Sequence, residues 1–326
     1  MEMAMKLHIW LAGLAALAWA GFAHAGGVGY ETVSVPVVGD RPLKMSIWYP
    51  TTAPEAAEPL ALSSQVVAHG APVAGQGHPL IVVSHGTGGS DADHFDTAQA
   101  LARAGFVVAA VAHTGDTYDD RSRALRIIDR PRHLSVAIDY MTQAWQGHDA
   151  VDAARIGAFG FSAGGFTVLA AIGGEPDMSL TDRHCAVHPH FYDCQMLRMF
   201  PRQSATATVP AHDSRIRAAV IAAPALGYAF TPAGLAKVKV PIQLWRAEWD
   251  TVLPQPFYAE TVRRNLPNPP EHHVVPGADH FDFLPPCSPA LAKAAPSICG
   301  DGVFDRAAFH ATFNAEVVRF FRKTLG

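Results

Sequence analysis

Several features are missing from this 326-residue chain, and each absence excludes a class of protein. No block of like charges occurs and the formal net charge is only −4, so we expect neither nucleic acid nor an anionic membrane surface as a partner. The G-x-x-x-x-G-K-[ST] pattern of phosphate-binding loops is absent. No internal repeat is evident. What is present is a chain with 49% hydrophobic residues, which is enough to bury a sizeable core.

The amino-terminal segment lacks an apolar run long enough for a membrane anchor. Lys6 precedes an apolar run from Ile9 to Ala20, and the small-x-small sequence Ala23-His24-Ala25 follows. A spanning helix needs about 20 apolar residues, whereas this arrangement is typical of a secretory signal peptide. The sequence therefore predicts a cleaved signal peptide over residues 1–25, export to the periplasm or the extracellular medium, and no stable membrane anchor.

Cysteine is also scarce, with four residues in the whole chain. They fall in two local pairs, Cys185 with Cys194 and Cys287 with Cys299. An even number of cysteines in an exported protein predicts disulfides. We favour pairing within each local pair on proximity alone, because four cysteines allow three connectivities and the sequence does not choose among them.

The first cysteine pair has a second interpretation as a metal site. Zinc accepts nitrogen and sulfur ligands, and the nearby histidines are His184, His188 and His190. The spacing matches no familiar tetrahedral site, and an exported chain would sooner oxidise the two thiols. We therefore expect no metal here.

Short continuous apolar runs alternate with helical periodicity along most of the chain. Such runs are typical of strands buried on both faces of a parallel sheet. They are Leu80 to Val83, Phe106 to Val111, Ile156 to Phe159, Ala218 to Ala222, Ile242 to Trp245 and His273 to Val275. Tyr30 to Val38 and Leu43 to Tyr49 alternate as an opening antiparallel hairpin would. The pattern predicts one α/β domain over residues 26–326, with a doubly wound, mostly parallel sheet and helices on both faces.

Two segments interrupt this alternation. Gly173 to Asp213 is rich in His, Met, Arg and aromatic residues and contains one cysteine pair. We interpret it as an insertion over the site, acting as a lid or pocket wall, with a surface excursion as the alternative. Thr51 to Gly77 is rich in Ala and Pro, and we expect a surface loop there.

The sequence Gly160-Phe161-Ser162-Ala163-Gly164 lies between an apolar run and a small-residue helical run. A sharp strand-to-helix turn exposes the serine hydroxyl, and glycines at the flanking positions let the two arms pass closely. The pentapeptide alone is weak evidence, but its context supports it. Ser162 is our candidate nucleophile.

A serine nucleophile needs a general base and a carboxylate that orients the base. Asp250 follows an apolar strand, and His280 stands in a Gly-containing loop after the last predicted strand. This gives the chain order Ser, acid, His. The chain has 17 histidines, so position rather than residue type selects His280. Glu248 is the main competitor of Asp250.

Preorganised backbone N–H groups usually stabilise the oxyanion of such reactions. One should belong to Ala163, the residue after the nucleophile. We assign the other to Thr87, in the glycine-rich loop Ser84-His85-Gly86-Thr87-Gly88-Gly89-Ser90 that follows a predicted strand. The alternative is a flexible connection that merely contains glycines.

These segments together resemble the dienelactone-hydrolase-like α/β hydrolases, including bacterial relatives of platelet-activating-factor acetylhydrolase. The resemblance is carried by His85-Gly86-Thr87-Gly88, Gly160-Phe161-Ser162-Ala163-Gly164-Gly165, Trp249-Asp250-Thr251-Val252-Leu253-Pro254 and Gly277-Ala278-Asp279-His280. It implies an α/β-hydrolase fold with Ser162, Asp250 and His280 as the triad and the Thr87 and Ala163 amides as the oxyanion hole.

The chain departs from these relatives in two places. Authentic dienelactone hydrolases have a cysteine nucleophile where this chain has Ser162, so a simple ester is the more natural substrate. The acetylhydrolases carry their acid on the strand that here reads Ala218 to Ala222, which has no carboxylate, and Asp250 on the following strand fills the gap.

The sequence therefore predicts a secreted serine carboxylesterase that hydrolyses a small-molecule or polymeric ester and needs no cofactor. The alternatives are a lipase, phospholipase or polyester hydrolase with the same triad, and a non-catalytic binding protein that keeps the fold. Acyl-chain length, alcohol and oligomeric state stay open.

Overall fold

The computed structural model describes residues 26–200, 210–300 and 302–326. The predicted signal peptide, residues 1–25, lies outside the described residues. None of the helices in the described part of the chain combines the length and the hydropathy needed to cross a bilayer.

Within the described ranges, ten strands form one mixed sheet. The strands are β1 (Gly27–Val35), β2 (Leu43–Thr51), β3 (Ala56–Leu60), β4 (Ser63–His69), β5 (His78–Ser84), β6 (Val107–Ala112), β7 (Val151–Phe161), β8 (Ile216–Ala222), β9 (Ile242–Ala247) and β10 (Glu271–Val275). Their order in the sheet is β10-β9-β8-β7-β5-β6-β2-β1-β4-β3. Strands β5 to β10 run parallel, whereas β2 is antiparallel to both β6 and β1.

Helices cover both faces of this sheet. They are α1 (Phe95–Arg103), α2 (Arg130–Gln143), α3 (Ala163–Ala171), α4 (Leu180–Val187), α5 (Tyr192–Met199), α6 (Pro232–Leu235), α7 (Ala259–Asn265), α8 (Pro289–Ala294), α9 (Pro296–Cys299) and α10 (Arg306–Leu325). Helices α2 and α3 pack in one hydrophobic cluster, and α1 and α10 in the other. Strand β5 serves both clusters, since Leu80 and Val82 join the first and Ile81 and Val83 the second, as the alternation of side chains in a strand requires.

The predicted architecture is confirmed, since the six apolar runs form β5 to β10 and the opening hairpin forms β1 and β2. The prediction of a loop over Thr51 to Gly77 was wrong. Residues of this segment form the antiparallel pair β3 and β4, joined by Ala61 and Leu62, and β4 adds in parallel to β1. Pro59 hid β3, because proline cannot donate a hydrogen bond to a neighbouring strand and is tolerated only at a sheet edge, where β3 lies.

The predicted insertion over Gly173 to Asp213 contains α4 and α5, and residues 201–209 of it lie outside the described residues. A disulfide between Cys185 and Cys194 joins the two helices. The two ends of the insertion are close together, because the Asp213 N–H donates to the Ala171 carbonyl at 2.8 Å. The insertion is therefore a compact excursion from the end of α3.

Both cysteine pairs are disulfide-bonded as favoured from proximity, Cys185 with Cys194 and Cys287 with Cys299. The Cys194 sulfur is therefore not a thiolate that could ligate a metal.

Candidate active site

Ser162 occupies the turn between β7 and α3, with φ at +55°. This region is costly for a residue with a Cβ, so the surrounding structure must hold the residue there. The Ser162 N–H donates to the Ala222 carbonyl at 2.9 Å, and the Ser162 carbonyl accepts from the Ala225 N–H at 2.9 Å. Strand β8 and the turn after it thus fix the backbone and leave the hydroxyl partly exposed.

The glycines that flank Ser162 are required by close backbone approach. A Cβ on Gly160 would lie 2.1 Å from the Gly164 carbonyl oxygen, and a Cβ on Gly164 would lie 1.9 Å from the Ser84 carbonyl oxygen. Either contact would be a severe clash. These glycines let α3 pass against both its own strand and β5.

The structure brings Ser162, His280 and Asp250 together. The His280 Nε2 is 3.1 Å from the Ser162 Oγ, and the His280 Nδ1 is 2.9 Å from an Asp250 carboxylate oxygen. The side chains of His280 and Asp250 are each only 1% exposed. The other Asp250 oxygen accepts from the Leu253 N–H at 2.6 Å. Because Asp250 accepts the Nδ1 proton, the Nε2 lone pair is directed at the serine hydroxyl.

The loops that carry Asp250 and His280 are joined by a backbone hydrogen bond. The Trp249 N–H donates to the Ala278 carbonyl at 2.9 Å, directly beside Asp250 and His280. The competing acid Glu248 is exposed, and its carboxylate accepts from the Gly277 N–H at 2.9 Å. Glu248 therefore supports the loop that carries His280, while Asp250 contacts the His280 imidazole.

His85 supports the loop that follows β5 by hydrogen bonds to Gly86 and His113. The His85 Nε2 accepts from the His113 N–H at 3.0 Å, so the proton is on Nδ1, which donates to the Gly86 carbonyl at 2.6 Å. The carbonyl and the following N–H of a trans peptide point in opposite directions. Holding the Gly86 carbonyl thus turns the Thr87 N–H away from His85.

A buried ion pair holds the two ends of the same loop. Arg130 and Asp116 are 3.1 Å apart, with side chains only 3% exposed. Arg130 donates to the His85 carbonyl, and Asp116 accepts from the Gly88 N–H at 2.8 Å. Burial lowers the pKa of Arg130 to about 10, which leaves the guanidinium charged at neutral pH.

Neutral histidines surround this ion pair. Burial holds the pKa of His85 and of His113 well below its usual value, and burial lowers the pKa of His133 to about 4. His113 is hydrogen-bonded to both His133 and Ser84, at 3.0 and 2.7 Å. The loop is therefore supported by a polar network that stays uncharged, apart from Arg130 and Asp116, at neutral pH.

A cavity that is open to solvent adjoins Ser162 and Thr87. Its remaining wall is mostly aliphatic or methionine, with Leu125, Ile127, Leu226 and Leu253 among the lining residues. The predicted insertion forms part of the wall, with Met178, Thr181, Tyr192, Asp193, Met196 and Leu197. A wall of this polarity suits an apolar group.

The insertion is fastened to the rest of the protein by Asp193. Its carboxylate accepts hydrogen bonds from the Tyr228 hydroxyl at 2.8 Å and the Tyr258 hydroxyl at 2.9 Å. His184 stacks on Tyr228 with a ring-centroid distance of 3.8 Å. This contact set fixes α4 and α5 over the cavity, and whether they open as a lid stays a prediction.

Comparison with known sequences assigns the family. A sequence model of the dienelactone hydrolase family matches residues 66–295, which include Ser162, Asp250 and His280. The chain belongs to the dienelactone hydrolase family. Nothing among the curated proteins matches this dienelactone hydrolase family member.

Solved structures show the same fold. A ferulic acid esterase from Streptomyces cinnamoneus superposes on this dienelactone hydrolase family member with a TM-score of 0.62. The two are 21% identical, and the match covers 92% of this chain and 89% of the esterase. The family and the architecture together support a hydrolase of ester bonds.

The sequence of this dienelactone hydrolase family member did not reveal the Arg130–Asp116 ion pair that supports the loop after β5. Asp116 follows β6 and Arg130 begins α2, so neither is near the loop in the chain. The one signal available was the polar sequence His113-Thr114-Gly115-Asp116 at the carboxyl end of a buried strand, where ligands and functional loops gather in parallel sheets.

Proposed function

We propose that the protein is a serine carboxylesterase in which Ser162 is the nucleophile, His280 the general base and Asp250 the orienting acid. The observation that carries the proposal is the continuous chain of short contacts from the Ser162 hydroxyl through His280 to the buried Asp250. A hydroxyl within hydrogen-bond reach of a base that is itself oriented by a third group is the signature of an activated nucleophile.

The reaction follows from these positions. The His280 Nε2 takes the Ser162 proton while Oγ bonds to the ester carbonyl carbon, and the carbonyl oxygen becomes an oxyanion. The N–H groups of Thr87 and Ala163 donate to that oxyanion. Ala163 begins α3, so its N–H has no partner within the helix. His280 then protonates the departing alcohol, and a water molecule deprotonated by His280 hydrolyses the acyl-enzyme and restores Ser162.

The deciding experiment is intact-mass spectrometry of the purified protein before and after treatment with a fluorophosphonate. We expect one adduct per chain in the wild type and none in Ser162→Ala. The same variant should lose on the order of 10⁶ in kcat on a short-chain p-nitrophenyl ester. Folded wild type that takes up no probe, or ester turnover that survives Ser162→Ala undiminished, would refute the proposal.

We also propose that the protein is exported. The support is the predicted signal peptide over residues 1–25 together with two disulfides, which form and persist in oxidising compartments. Protein recovered from the periplasm or medium of an expressing bacterium should begin near Gly26, and mass spectrometry checks this. Retention of the leader on cytoplasmic protein would contradict it.

A further inference from the structure

One carboxyl group lines the cavity beside Ser162. Asp193 is among the described residues that line it, and none of those lining residues is Lys, Arg or His. Asp193 is half-buried in a mostly apolar wall, so water screens it less than a fully exposed carboxylate and it acts on any charge that enters.

The partners of Asp193 match a carboxylate. Tyr228 donates to Oδ2, while Tyr258 and the Cys194 N–H, at 3.0 Å, donate to Oδ1. All three partners are donors, so the side chain serves only as an acceptor, as an ionised carboxyl does. Burial raises the pKa of both Tyr228 and Tyr258, so neither hydroxyl gives up its proton at neutral pH.

The neighbouring groups do not cancel this charge. Burial lowers the pKa of His184 below its usual value, so the ring beside Asp193 is neutral at pH 7. The guanidinium of Arg121 lies against Gly88, and its charge also acts on Tyr192 in the cavity wall, but Arg121 is exposed and water weakens its effect.

We propose that Asp193 restricts the proposed esterase to substrates whose cavity-bound part is apolar and uncharged, and that it excludes esters carrying a carboxylate on that part. This inference rests on the proposed function. A carboxylate entering the cavity loses part of its hydration against the mostly apolar wall and meets a like charge there. We expect discrimination on the order of 10- to 100-fold in kcat/KM between a neutral ester and its anionic counterpart.

The test uses pairs of esters that differ in one charge. The p-nitrophenyl ester of adipic acid is compared with its methyl-capped form, which places the charge on the acyl part. The butyrate of 4-hydroxybenzoic acid and that of its methyl ester place the charge on the alcohol part. Wild type should prefer the neutral member of at least one pair. Asp193→Asn should reduce that preference about tenfold by speeding hydrolysis of the charged ester.

Asp182→Asn is the matched control, because Asp182 is an exposed residue of the same insertion. It should leave the preference unchanged. Asp193→Ser is the second charge-free variant if Asp193→Asn does not fold.

Equal wild-type rates within both pairs would overturn the inference, as would a preference that persists in a folded Asp193 variant. A preference for the charged ester that Arg121→Gln removes would also overturn it. No turnover of any of the four esters would instead overturn the proposed function itself.

Discussion

Asp279 accepts two hydrogen bonds from Thr251, one from its N–H and one from its hydroxyl, both at 2.7 Å. Thr251 follows Asp250, and Asp279 precedes His280. The contact therefore helps to set the separation of Asp250 and His280, although neither Thr251 nor Asp279 belongs to the Ser162–His280–Asp250 contacts.

Thr251→Val should slow the chemistry without weakening binding. The variant keeps the N–H contact with Asp279 and loses the hydroxyl contact, which loosens the pairing of Asp250 with His280. We expect a several-fold fall in kcat, an unchanged KM and a stability loss of about 1 kcal/mol or less. Thr261→Val removes a hydroxyl bonded to the Pro256 carbonyl and should leave kcat unchanged. Equal kcat values for the two variants would contradict this.

Asp250→Asn should abolish most activity while Glu248→Gln should not. An amide at position 250 can stabilise the wrong imidazole tautomer, which costs on the order of 10⁴ in kcat in a comparable triad. Glu248 contacts the Gly277 N–H rather than His280, and a glutamine oxygen still accepts that bond. Steady-state kinetics on a p-nitrophenyl ester compares them. The assignment of the acid is wrong if Glu248→Gln is the more damaging change.

Arg130→Lys should reduce kcat because it loosens the loop that positions the Thr87 N–H. A lysine keeps the charge beside Asp116 but lacks the planar fork that also reaches the His85 carbonyl. Removing one oxyanion donor outright costs on the order of 10² to 10³ in kcat, so misplacing it should cost about 10- to 100-fold. KM should stay the same.

The control for this variant is Arg215→Lys. Arg215 pairs with Asp213 and Asp139 just before β8, at the opposite end of the parallel strands. Arg215→Lys should be less stable than wild type and should keep the wild-type kcat. Both variants are measured well below their unfolding temperatures, and a folded Arg130→Lys with wild-type kcat would exclude the positioning role.

His94→Leu should make the fold less sensitive to acid. Burial lowers the pKa of His94 to about 3, and neither ring nitrogen has a hydrogen-bond partner within the described structure. The unfolded chain binds a proton near pH 6.5 and the folded chain does not, so stability is lost as pH falls from 6.5 towards 3. Between pH 7 and pH 5 this residue alone should cost wild type about 2 kcal/mol.

Leucine does not titrate, so His94→Leu lacks this pH-dependent loss of stability. From pH 7 to pH 5, the free energy of unfolding of the variant should therefore rise by about 2 kcal/mol relative to that of wild type. Urea unfolding at both pH values measures it. His190→Leu, at an exposed site, is the matched control. Parallel pH profiles for wild type and His94→Leu would show that the ring is not buried and neutral.

The sequence was most informative where a local pattern determines the structure. Continuous apolar runs predicted the six parallel strands, because a strand covered on both faces has few polar positions. Gly160 and Gly164 indicated the turn at Ser162. A Cβ at position 160 would clash with the backbone of the same turn, and a Cβ at position 164 would clash with the backbone of the neighbouring strand β5. The positions of Asp250 and His280 after their strands predicted their meeting at one edge, while their catalytic roles stay predictions.

Long-range contacts explain what the sequence did not provide. Arg130 reaches the His85 carbonyl across 45 positions, and Tyr258 reaches Asp193 across 65. No sequence spacing predicts either contact, because both depend on how the connections between strands fold back across the sheet. Strands β3 and β4 were missed for a related reason, because β4 joins the sheet by pairing with the distant β1, and Pro59 weakens the local signal of β3.

The closeness of the two ends of the insertion has an evolutionary consequence. A segment that leaves and re-enters the fold at neighbouring points, Ala171 and Asp213, can be lengthened, shortened or exchanged at little cost in chain entropy and without changing the strand order. Ser162, Asp250 and His280 all lie outside it. Selection can therefore alter the part of the cavity wall that the insertion supplies while the segments that carry Ser162, Asp250 and His280 are preserved.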